Sequence, residues 1–230
     1  MQMKDTVPNC SFCPYPWKER LCRKESGKFP EDCPTYRKKE LAQEAFSSLK
    51  GSRWMEFARQ CSIQEGEGYG NKNHGYDFVQ PIKPRIQEIY EFADKMRFQR
   101  LGLVFCVGLR REAKIIGKLF KAKGFELASV VCKVGRLPKE EIGVLDKQKI
   151  APGYFEPACN PVLQAMVLNE AKTDFNVVLG LCVGHDALFF EFSEAPCTVL
   201  AVKDRLLGHN PLAAVYNLDS YYRALKKSTE

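Results

Sequence analysis

The sequence predicts an α/β protein: an open, mostly parallel, Rossmann-like sheet with helices on both faces, preceded by a cysteine-rich metal-binding segment and a helical region. Three observations carry this. Short, continuous apolar runs at 101–108, 125–131, 176–182 and 198–202 are strand-length, and helical patterns separate them. Residues 1–34 are crowded with Cys, Pro and charge and show no apolar periodicity. With 45% hydrophobic residues in 230, the chain can bury one substantial core beside such an appendage.

The elements follow in order. A helical pattern runs from Tyr36 to about Gln60 through Leu41, Ala45, Leu49, Trp54 and Phe57, with Gly51 and Ser52 as a break. Residues 64–82 are rich in Gly and Asn and read as a loop. Pro84 then opens a helix whose Ile86, Ile89, Phe92, Ala93 and Met96 share one face. The next helix, 111–123, turns Ala113, Ile116 and Phe120 inward and ends at Gly124. An irregular excursion at 135–158 interrupts the alternation. Asn160 caps a further helix with Pro161 at its first position, a short helix follows His185 and Asp186, and Asn210-Pro211 opens the last. The expected domains are 1–34, 35–98 and 99–230.

Composition excludes some classes. No stretch is long and apolar enough to span a bilayer, and the first ten residues are polar, so a soluble, cytoplasmic protein without membrane contact is expected. The net charge of +7 raises nucleic acid, but the basic residues read as scattered, without a stripe interleaved with aromatics, and nucleic-acid binding is not expected. Ten cysteines in a reducing compartment point to metal ligation or thiol chemistry rather than disulfides.

Cys10 and Cys13 form a C-x-x-C pair, and Cys22 and Cys33 follow after eight and ten intervening residues. Two thiolates on one tight turn can face one metal, and two later thiolates complete a four-ligand set. Cys13 and Cys33 each precede a proline, as iron–sulfur cysteines often do, so a [4Fe-4S] cluster is preferred, with zinc as the alternative. Lys18, Arg20, Arg23, Lys24 and Lys28 lie between these cysteines and read either as an offset to a negative centre or as a solvated basic loop.

A second constellation gathers where the strands end. Cys106, Cys132 and Cys182 close three strands and Cys159 precedes the Asn160 cap, at the edge where open α/β sheets bind ligands. These four are candidates for a second cluster or for work shared between cluster and substrate. Within 180–186 (GLCVGHD), Cys182 is a candidate nucleophile and His185 its base. After the last strand, Lys203, Arg205, His209 and Asn210 in KDRLLGHNP suit an anion. Cys61 and Cys197 read as packing residues and His74 as a surface one. No G-x-G-x-x-G, Walker or G-x-S-x-G motif follows any strand.

LCRK…PEDCP, EFADKM, Cys106-Val-Gly-Leu, Cys132-Lys-Val-Gly, Cys159-Asn-Pro, GLCVGHD and VKDRLLGHNP together resemble the uncharacterised metal-binding proteins of the domain-of-unknown-function 1847 family. The resemblance covers nearly the whole chain. It implies cysteine ligands at Cys10, Cys13, Cys22 and Cys33 and a source among anaerobic bacteria and archaea, and it supplies no reaction. Electron transfer, or small-molecule redox or sulfur chemistry, is the expected role, with a redox partner protein or a small molecule as the other party.

Overall fold

The structure is a computed structural model that describes residues 7–227. The chain divides into two compact units, Met1–Ser62 and Ile63–Glu230. The region expected at 35–98 is therefore shared between them.

In the first unit, residues 9–33 wind through short turns. Leu21 and Lys28 form the rungs of a small loop, with Leu21 N donating to Lys28 O at 3.0 Å and Lys28 N to Glu19 O at 2.7 Å. Helix α1 (Pro34–Arg37) starts at a proline, and α2 (Lys39–Leu49) follows. The break at Gly51-Ser52 is present, since α3 begins at Arg53 and runs to Glu67. That end lies beyond the expected loop boundary because Gln64 is buried in the second unit. There its side chain donates to Glu91 and accepts from Lys95, and bonds of this kind outweigh the poor helix propensity of Gly66.

The second unit holds the sheet. A minimal antiparallel pair, β1 (Tyr69–Gly70) and β2 (Gln80–Pro81), closes the Gly/Asn-rich loop. Helix α4 (Arg85–Lys95) buries Ile89, Phe92 and Ala93, as its apolar face requires. The alternation then runs β3 (Arg100–Phe105), α5 (Arg110–Ala122), β4 (Glu126–Val131), α6 (Pro161–Glu170), β5 (Phe175–Leu179), α7 (His185–Phe192), β6 (Cys197–Ala201) and α8 (Leu212–Tyr216). All four long strands are parallel, in the order β4-β3-β5-β6.

Both faces of the sheet are covered. Val104, Val130 and Val178 pack with Ala165 and Leu168 of α6 and Phe189 of α7. Their neighbours Leu103 and Val177 point the opposite way, yet are 1% and 0% exposed. On that second face Phe175 stacks with Phe98 and tilts against Phe92 of α4. On the first face, Gly102 gives up its side-chain volume to the buried Asn176. A Cβ at Gly102 would stand 1.9 Å from Asn176 Oδ1, and that amide is used, accepting from Thr173 and donating to Ser193.

The reading of basic residues as scattered is corrected by α5. Arg110, Lys114, Lys118 and Lys121 recur at helical spacing and line one groove of about 380 Å³ with Phe105, Leu127 and Ser129. Among the described residues no helix is long and apolar enough to cross a membrane.

Candidate redox site

The four N-terminal cysteines, two of them on one turn, line one cavity of about 50 Å³. Cys10 and Cys13 sit on one tight turn, with Cys13 N donating to Cys10 O at 3.3 Å. Arg20 fixes the next stretch by donating to Tyr15 O at 2.7 Å and to Cys13 O at 3.3 Å. Cys33 precedes α1 and accepts from Tyr36 N and Arg37 N through its carbonyl. Arg20, Lys28 and Asp32 add charge to the lining. Among the described residues, no three Cys, His, Asp or Glu side chains converge closely enough to grip a single ion. The donor set is that of an iron–sulfur or zinc site, and the thiols rim a space rather than meet at a point.

At the carboxyl edge of the sheet, the ladder brings two strand-end cysteines level. Cys106 N bonds to Leu179 O at 3.1 Å and Cys132 N to Phe105 O at 2.9 Å, each one step past its strand. The excursion from 133 to 158 then returns to the same place. Asn160 N donates to Cys132 O at 2.8 Å, the Asn160 side chain caps α6 through Leu163 N at 2.9 Å, and Lys133 Nζ ties down Pro157 O at 2.6 Å. Cys106, Cys132 and Cys159 consequently share one apolar cluster.

Within it Cys132 is buried and Cys159 half-buried, and hydrogen bonding between the two thiols shifts both. That bond is the largest cause bringing the Cys159 thiol down to about 5. Burial opposes the shift, and the charges of Lys133 and His185 assist it. The same bond, together with burial, pushes the Cys132 thiol up, so one proton is held between two sulfurs. Val107 N points at Cys132 Sγ from 3.3 Å and fixes its orientation.

Cys182 is arranged differently from the expectation. A turn at Gly180, where φ is +65° and an added Cβ would stand 2.2 Å from Leu109 Cδ1, favours glycine and carries the chain away from β5. Cys182 Sγ then accepts from Arg205 Nη2 at 2.9 Å. His185, the expected base for Cys182, starts α7, and its backbone N donates to Cys182 O at 2.9 Å. The structure therefore brings together three of the four edge cysteines and gives Cys182 a guanidinium partner. The interaction of Cys132 with Cys159 had no local sequence signal, because the two are joined only by the returning excursion.

The residues expected to hold an anion are scattered in role. Lys203 reaches the space beside Gly108, which Cys106 Sγ also borders, and Arg205 is on Cys182. His209 is tied into its own turn, its Nδ1 accepting from Asp204 N at 3.2 Å. Asn210 contributes its backbone carbonyl, not its side chain, to the start of α8. Cys197 is half-buried against the core cluster, as expected. Cys61 is exposed on α3, which corrects its reading as a packing residue.

The family described as "Protein of unknown function (DUF1847)" matches residues 33–200. The "Uncharacterized protein MJ0455" of Methanocaldococcus jannaschii is 38% identical over 221 residues, which cover 96% of this chain and 98% of the relative. No solved structure matches the chain.

Proposed function

This chain belongs to the DUF1847 family, and we propose that it is an iron–sulfur protein in which Cys10, Cys13, Cys22 and Cys33 hold one [4Fe-4S] cluster. The observation that carries the reading is the single cavity rimmed by these four thiols, although Cys10 and Cys33 are 23 residues apart in sequence. A segment this polar has little apolar surface to bury, so a ligand that bridges its turns is what would order it. The prolines that follow Cys13 and Cys33 favour an iron–sulfur cluster over zinc. When bound, the cluster supplies one-electron transfer, at a potential set by local charge and exposure. Arg20 orients the Cys13 turn through its two carbonyl bonds and brings positive charge to the cavity wall. The role is electron transfer to a redox partner protein or a small molecule of the cytoplasm.

Protein purified without oxygen should be brown and contain ~4 irons per chain, the stoichiometry of one cubane. Replacing Cys10 and Cys13 together by Ser should remove the colour while leaving the sheet unit's cooperative unfolding in place. A colourless wild-type protein carrying zinc overturns the reading.

A further inference from the structure

We propose that Cys159 and Cys132 form a redox-active dithiol that reduces a small, acidic disulfide, with Cys159 as the attacking sulfur and Cys132 as the resolving one. This site does not depend on the N-terminal cluster, since all its residues lie in the sheet unit.

The geometry separates the two roles. The bond from Asn160 N to Cys132 O at 2.8 Å sets Cys159 beside Cys132, and the two pack in one cluster at the carboxyl edge of the sheet. Cys159 is the half-buried member and can meet a substrate, whereas Cys132 is 2% exposed and shielded from one. Burial of the second thiol is what a resolving cysteine needs, because it prevents a competing first attack. Lys133 brings positive charge to Cys159, and Lys203 and Arg205 stand at neighbouring cysteines on the same edge. An approaching disulfide bearing carboxylates is thereby favoured over a neutral or cationic one.

The steps balance. The Cys159 thiolate attacks one sulfur of R–S–S–R, the substrate S–S bond breaks, and the first RS⁻ leaves and takes a proton from water. Cys132 then attacks Cys159 Sγ, and its proton passes to the second RS⁻ as the mixed disulfide breaks. The substrate gains two electrons and two protons and becomes two thiols, while the protein is left with a Cys132–Cys159 disulfide. A second thiol or dithiol reductant restores the pair.

The test uses the full chain and glutathione disulfide as the probe, without oxygen, followed by an acid quench and peptide mapping. Wild-type protein should yield a Cys132–Cys159 linked peptide and free glutathione. Cys132→Ser should lose the link and accumulate glutathione on Cys159, and Cys159→Ser should lose both. Wild-type protein that retains two free thiols at these positions, or that takes glutathione first on Cys182 or Cys61, overturns the proposal. The wild-type map decides the matter even where a variant fails to fold. Because mapping distinguishes these peptides from those of Cys10 to Cys33, absence of a cluster would be read separately.

Discussion

From pH 5 to pH 9 the alkylation rate of Cys159 should run against that of an ordinary cysteine. The groups facing it are the Cys132 thiol, the Lys133 and His185 side chains and, one sulfur further away, Cys106. Together they bring the Cys159 thiol to about 5, with the Cys132 hydrogen bond as the main cause and burial in opposition. At pH 5.5 about 0.8 of Cys159 is then thiolate, against ~0.001 of a free thiol whose pKa is ~8.5. A thiolate of lower basicity is also a weaker nucleophile, and a Brønsted slope of ~0.45 over ~3.5 units costs ~40-fold. The product of the two factors makes Cys159 ~20-fold faster than a reference peptide thiol at pH 5.5, about equal near pH 7 and ~30-fold slower at pH 9. Iodoacetamide pulses at each pH, read peptide by peptide, measure this directly. Burial lowers the rate at every pH alike, so the readout is the shape of the curve. A Cys159 rate that climbs tenfold per pH unit through pH 7 and levels only near ~8.5 refutes the reasoning.

Two further outcomes concern the frame around the site. Glu91 is partly buried, which alone would raise its carboxyl. Hydrogen bonds from Lys83, Gln87 and Gln64 outweigh this and lower it to about 2. A depressed carboxyl stabilises the fold above its unfolded value near ~4.5, and that stability is lost as pH falls from there towards about 2. After allowance for partial solvent screening, Glu91→Gln should cost ~2 kcal/mol and ~6 °C in Tm at pH 7, with the difference from wild type shrinking below pH 4; a gap that persists at pH 2.5 would argue against it. At Gly102 the added Cβ meets Asn176 and Leu168, so Gly102→Ala should cost ~3 kcal/mol by overpacking. A urea midpoint equal to wild type would show that the core yields there.

The α/β frame was legible because its strands are buried on both faces and therefore read as unbroken apolar runs. β5, buried throughout, is the clearest case. The same rhythm placed Cys106 and Cys132 at strand ends and Asn160 at a helix cap, each within a residue or two. Contacts set by the returning chain were not legible. No spacing rule links Cys132 to Cys159, and the pairing depends on Asn160 N reaching Cys132 O. Nor does any local pattern reveal that Arg205, after β6, would reach the sulfur of Cys182. The basic row on α5 was legible in principle, since Arg110, Lys114 and Lys118 follow at intervals of four. The inward row of Ala113, Ile116 and Phe120 on the same helix dominates its pattern and masks the basic row.

The excursion that carries Cys159 back to Cys132 has a topological consequence. It is folded from short turns pinned by contacts such as the Lys139–Glu156 ion pair and the bond from Ala158 N to Leu137 O. Oxidising the dithiol would close it into a covalent ring of ~27 residues and remove ~3.5 kcal/mol of unfolded-chain entropy. The oxidised protein would then resist proteases that open this region, and the reduced protein would yield to them. The thiol state of the cell would be written into the lifetime of the chain.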